Sequence, residues 1–232
     1  MKTCDFQQLY WKYYLNLEND FLATEKYVAI DASNKNAFSI EYMKILQMVC
    51  SEVDVVAKSF CKEIDVVAKS FCKEIDASFK GDKINQYCKK ITMEYADFSK
   101  DSVHFLLGNI DMTPWSGWTF VEKNTNDGKK KIYSNNPLWW KNHNEIKHNR
   151  TSFKGGKQNY KKANQNNVIN ALSALFQMEM YYYNRLADNE NIREKTPLPK
   201  SKLFSIPRWT DTVSEGGEIA FSLQGQDLYI KT

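Results

Sequence analysis

The densest run of chemically capable side chains is Trp139-Trp140-Lys141-Asn142-His143-Asn144-Glu145-Ile146-Lys147-His148-Asn149-Arg150. On a helix, Trp140, Asn144 and His148 stand four apart and share a face, and Lys147 falls one turn after His143 and Asn144. A histidine among cations can serve as general acid or base on a phosphodiester, with Lys147 and Arg150 stabilising the charge that develops. His148 is the candidate for that role. The same residues also admit an architectural reading. Asn144 and His148 would then satisfy buried backbone groups, and the tryptophans would anchor the helix.

This run lies in a basic stretch. Between Val121 and Lys162, ten lysines and one arginine stand against Glu122, Asp127 and Glu145, a local charge of +8 in a chain whose total is +4. The stretch also carries Tyr133, Trp139, Trp140, Phe153 and Tyr160. Cations follow phosphates and rings stack on bases, so the combination suits single-stranded nucleic acid. RNA is the expected partner, through Lys141, Trp140, Asn144, Lys147, His148 and Arg150. A solvated lysine-rich loop with its aromatics in the core would give the same composition.

Other chemistries lack their signatures. There is no Walker-type loop, no Gly-x-Gly-x-x-Gly, no His-Glu-x-x-His and no Gly-x-Ser-x-Gly. Three histidines without a Cys-x-x-Cys pair argue against zinc, so neither a metal nor a cofactor is expected. The five cysteines are odd in number. Cys50, Cys61 and Cys72 recur every 11 residues, about 16 Å apart at about 1.5 Å per helical residue and out of disulfide reach. They read as buried thiols in a reducing compartment. No apolar run approaches the roughly 20 residues that span a bilayer, and the first residues carry no signal-peptide core. The expectation is a cytoplasmic protein with no membrane partner.

The elements that must position these residues are mainly helical. Phe6, Tyr10, Tyr13, Leu17, Phe21 and Val28 predict a first long helix over residues 5–30, with Thr24 filling the gap in the stripe. Asp54 to Ile64 is followed at once by an identical copy, Asp65 to Ile75. Replication slippage and deliberate insertion both produce such a copy. Eleven residues make close to three turns, so the apolar stripe continues with a phase error of only about 20°. A single helix over residues 39–77 is expected, one copy packing as the parent segment did. A shorter helix follows through Ile84, Cys88, Ile91 and Tyr95. Alternation at Val103, Phe105 and Leu107, then Asn126-Asp127-Gly128 between residues 119–122 and 131–133, predicts β-hairpin material. Pro137 opens a helix over 138–150, residues 151–160 read as a loop, and a long helix covers 164–187. Pro197, Pro199 and Pro207 mark extended chain, and residues 219–230 around Gly225 suit a last hairpin. The fold class is therefore mainly α, a helical bundle with long helices and minor β-hairpins. Its bundle domain would span 1–195, with a small β insertion near 103–133. Residues 196–232 would form a C-terminal extended segment and hairpin packed on the bundle.

Trp139-Trp140 followed by Asn144, Lys147-His148 and Arg150, and then the helix from Asn164 to Tyr183, resembles bacterial helical proteins loosely grouped with the HEPN superfamily. Many members of that superfamily are RNases or RNA-binding partners in toxin–antitoxin and phage-defence systems. The likeness covers residues 137–185 and implies a helical fold and possible dimerisation. The superfamily's catalytic pattern is Arg followed four to six residues later by His. Here His104, His143 and His148 all precede Arg150, Arg185, Arg193 and Arg208, so the pattern is absent and no catalytic residue carries over. The leading expectation is a non-enzymatic, RNA-associated helical protein serving bacterial defence. The alternatives are an unconventional RNase using His148, and a homodimeric interaction module or a helix-duplication protein with no intrinsic enzymatic role.

Overall fold

The computed structural model describes residues 1–71, 83–126, 128–154, 156–206, 221–223 and 226–228. It is mainly α with small antiparallel sheets. The chain opens with α1 (Thr3–Phe6), a π-helical turn (Gln7–Trp11) and α2 (Lys12–Ala23), which run on without a break. The π turn changes which side chains face inward. A wider turn takes more residues to come round, so the inward position falls one residue later: Trp11 and Tyr14 are buried while Tyr13 is 40% exposed. The buried stripe therefore passes through Tyr14, not through Tyr13 as the spacing predicts. The first helix also ends earlier than expected, passing at Thr24–Lys26 into a short 3-10 turn.

The long helix α3 (Ile40–Phe71) runs through the first copy of the repeated segment and into the second. Val56, Ala57, Phe60, Cys61 and Ile64 of the first copy are all buried. The remainder of the expected helix, residues 72–77, lies outside the described residues. After α4 (Ile84–Glu94), strands β1 (Val103–Phe105) and β2 (Ile110–Met112) form a tight hairpin. Leu107, expected in a strand, sits in the turn and is 49% exposed. Strands β3 (Thr119–Asn124) and β4 (Lys130–Asn135) pair over their full length. Next come α5 (Leu138–Asn149) and the two-residue strands β5 (Phe153–Lys154) and β6 (Lys157–Gln158), within a stretch expected to be loop. A 3-10 turn (Asn159–Lys162) leads into α6 (Gln165–Asn189). Strand β7 (Phe204–Ser205) returns to pair with β1, and β8 (Phe221–Leu223) pairs with β9 (Gln226–Leu228).

Helix α6 is buried on almost every side, which marks it as the central element. It packs parallel to α3: Gln165 donates to the Tyr42 hydroxyl at one end, and Tyr182 stacks on Phe60 at the other. On another face Gln177 donates to the Phe98 carbonyl and Trp115 donates to the Ala174 carbonyl. Glu18 of α2 fixes residues 201–203. Its carboxylate accepts from the Tyr14 and Ser201 hydroxyls and from the backbone N–H groups of Lys202 and Leu203. Among the described residues, no helix is long and apolar enough to cross a membrane.

Candidate nucleic-acid interface

Helix α5 begins directly after Pro137, whose fixed φ of −56° suits a helix start. At about 100° per residue, Leu138, Lys141, Asn142 and Glu145 fall on one face, and together they form one wall of a groove of about 740 Å³. The opposite wall comes from Lys161 and Lys162 on the 3-10 turn, with Asn164 and Asn167 of the α6 start between them and Asn36 and Phe38 at the rim. Asn164 caps α6 by accepting the Asn167 N–H at 3.0 Å. The Asn167 side chain donates to the Lys162 carbonyl at 2.7 Å and accepts from Asn142 at 3.2 Å, fixing the two walls against each other.

Helix starts often bind anions through free backbone amides, but this one has none to offer. Gln165 N–H donates to the Ala37 carbonyl and Asn166 N–H to the Lys35 carbonyl, while Phe38 and Asn164 form a β-bridge. An anion in this groove therefore meets side-chain cations and amides. Lys162 is paired with Glu145. Lys141 donates to Asn135 at 2.9 Å, and the Lys161 ammonium lies 5.6 Å from the Phe38 ring centroid. Among the described residues neither Lys141 nor Lys161 meets a carboxylate. Phe38, 45% exposed, also meets Tyr160 edge-on.

The structure separates the residues that the sequence grouped together. Of the six expected contacts only Lys141 lines the groove. Trp140 is buried, edge-on to Trp139 and close to the His143 ring, so it packs the helix and offers no face to a base. Trp139 donates to the Pro114 carbonyl at 2.8 Å and anchors α5 from beneath. Lys147 is nine residues beyond Leu138, about 180° around the helix, and its charge is felt by the buried Cys50 thiol of α3. Asn144 is half-buried, and His148 and Arg150 are exposed outside the groove lining. His143 is buried with its Nδ1 unpartnered among the described residues. Burial, with the Lys147 and His148 charges, lowers its pKa to about 4, so it is neutral at pH 7.

Asn36, Phe38, Asn142, Lys161, Lys162 and Asn167 escaped the sequence reading. The signal available was Lys161-Lys162 just ahead of a capping asparagine; nothing local pointed to Phe38. Cys50, Cys61 and Cys88 are buried and free. Burial pushes all three thiols up, Cys88 to about 12. No group of side chains suited to a metal ion occurs among the described residues. No family model, curated protein or solved structure matches the chain.

Proposed function

We propose that this protein binds single-stranded nucleic acid, RNA first, by laying phosphates along the groove between α5 and the start of α6. The observation that carries this reading is the pair Lys141 and Lys161, two cations without a carboxylate partner among the described residues, flanking a groove rich in amides. Phe38 and Tyr160 provide rings beside it. The reading is one of binding without catalysis. His148 lies outside the groove lining, and the superfamily's Arg-to-His spacing is missing. A cytoplasmic setting and a role in bacterial defence belong to the same proposal.

The test is fluorescence anisotropy with a labelled single-stranded RNA, titrated at several salt concentrations. Each lost phosphate contact on a single strand flattens the log K against log salt slope by about 0.7, so Lys141→Ala/Lys161→Ala should flatten it by about 1.4. Between about 50 and 200 mM salt, the wild type should therefore lose about sevenfold more affinity than the variant. Absence of binding at the lowest salt would end this reading, as would identical slopes.

A second reading is supported by the apolar hollow beside the groove, lined by Phe38, Ile40, Met43 and Tyr160, with Ile40 72% exposed. It would suit a second copy of the chain. Light scattering at high concentration tests this directly: a strict monomer contradicts it.

A further inference from the structure

In the β3–β4 hairpin, Val121 lies opposite Tyr133 and Lys123 opposite Lys131. Strand alternation puts Val121, Lys123, Lys131, Tyr133 and Asn135 on one face, and Phe120, Glu122, Ile132 and Ser134 on the other. The second face is turned inward. Asn85 of α4 donates to the Ile132 carbonyl and accepts from the Ser134 hydroxyl, and Lys89 pairs with Glu122. The first face is open to solvent, with Val121 54% and Tyr133 41% exposed.

That open face holds charge against a ring. The Lys123 and Lys131 ammonium groups lie 5.7 and 5.2 Å from the Tyr133 centroid. Like charges directly across a strand pair are unfavourable, and among the described residues neither lysine meets a carboxylate. The face also continues into the groove, because Asn135 at its end accepts from Lys141 of the groove wall at 2.9 Å. From Lys131 to Asn135 is four residues, about 13 Å of strand. At the far side of the groove Lys161 and Phe38 repeat the same pairing of an ammonium with an exposed ring. Charge and rings thus recur along one continuous track. A polymer with both phosphates and stackable bases fits that recurrence better than an acidic polypeptide, which offers charge alone.

We infer that the outer face of the β3–β4 hairpin is a second contact for the same nucleic-acid strand that lies in the groove. Lys123 and Lys131 hold phosphates and Tyr133 with Val121 supports a base. This rests on the groove reading, which it extends from a single subsite to a track several nucleotides long.

Binding is compared for single-stranded oligoribonucleotides of about 4 and about 12 nucleotides, within the range of site sizes seen for such proteins. Circular dichroism first establishes that each variant is folded. With Lys123→Ala/Lys131→Ala, the short oligonucleotide should bind as it does to wild type, while the long one should lose about 1.4 from its salt slope. Tyr133→Leu keeps an apolar strand residue and should weaken the long oligonucleotide about tenfold through lost stacking. If these variants bind the long RNA as wild type while Lys141→Ala/Lys161→Ala does not, the hairpin inference is overturned and the groove stands. If wild type binds neither oligonucleotide at low salt, the groove reading falls and takes this one with it. Polyglutamate competing with the long RNA as well as unlabelled RNA of equal charge would reassign the track to acidic protein, and would also overturn the inference.

Discussion

Glu179 sits in the middle of α6 with no exposed surface, and both carboxylate oxygens lack a hydrogen-bond partner among the described residues. Burial, and secondarily the nearby Glu52, raise its pKa well above the usual carboxylate range. In the unfolded chain the group titrates near about 4.3. Above that pH the unfolded state has lost a proton that the folded state keeps. Stability is therefore fully present below the unfolded value and declines as pH rises toward the folded one. One linked proton is worth at most about 1.4 kcal/mol per pH unit, so the loss from this residue between pH 5 and pH 7 is bounded at about 3 kcal/mol. Glu179→Gln removes the titration. The Glu52 shift, to about 7, is caused by its own burial and so remains in both proteins. Urea unfolding of the two proteins at pH 5, 6 and 7 isolates the effect as a difference: the wild-type midpoint should fall more steeply with rising pH, by up to about 1 M over this range. Glu179→Met, which deletes both unpaired oxygens, should be more stable than wild type at pH 7 by about 1–3 kcal/mol. Equal pH slopes for wild type and Glu179→Gln would mean that the folded carboxyl is ionised and partnered, the opposite of a buried neutral group.

Three further outcomes are expected. Glu18→Ala strips the acceptor from the Tyr14 and Ser201 hydroxyls and two backbone N–H groups. It should cost about 3 kcal/mol or more, lower the midpoint of thermal unfolding by roughly 10 °C and speed hydrogen exchange at Lys202 and Leu203. The His143 ring should titrate near 4 by NMR. Its contribution to stability is present above about pH 6.5 and is lost as pH falls from there toward 4, opposite in sign to that of Glu179; a midpoint near 6.5 would contradict the buried placement. Lys147→Ala/His148→Ala/Arg150→Ala should bind RNA much more nearly like wild type than Lys141→Ala/Lys161→Ala does, and the reverse order would move the interface to the other side of α5.

Much of the helical framework was legible because its signals are local. Pro137 and Asn164 start α5 and α6 where their backbone chemistry predicts, and apolar spacing carries α4 and α6. The first helix shows the limit of that reasoning. A π turn over Gln7–Trp11 changes the residues per turn, so a stripe read at a constant 3.6 selects Tyr13 where Tyr14 is buried. Strands of two or three residues, such as β5, β6 and β7, are too short to display alternation, and β1 finds β7 about 100 residues later. The site was half legible for a related reason. Composition located the basic-aromatic stretch, but it grouped Lys141 with Lys147, which stand about 120° apart around α5. Which side faces a groove depends on Phe38, Lys161 and Asn167, brought together by long-range hydrogen bonds that no spacing encodes.

Photo-crosslinking of a thiouridine-labelled single-stranded RNA to the protein, followed by peptide mapping, locates the bound strand. Adducts are expected on peptides containing Phe38 and residues 159–162, with Tyr133 added when the RNA is long enough to reach the hairpin. Adducts confined to the Lys147–Arg150 side of α5, or none at low salt, would overturn the proposed binding groove.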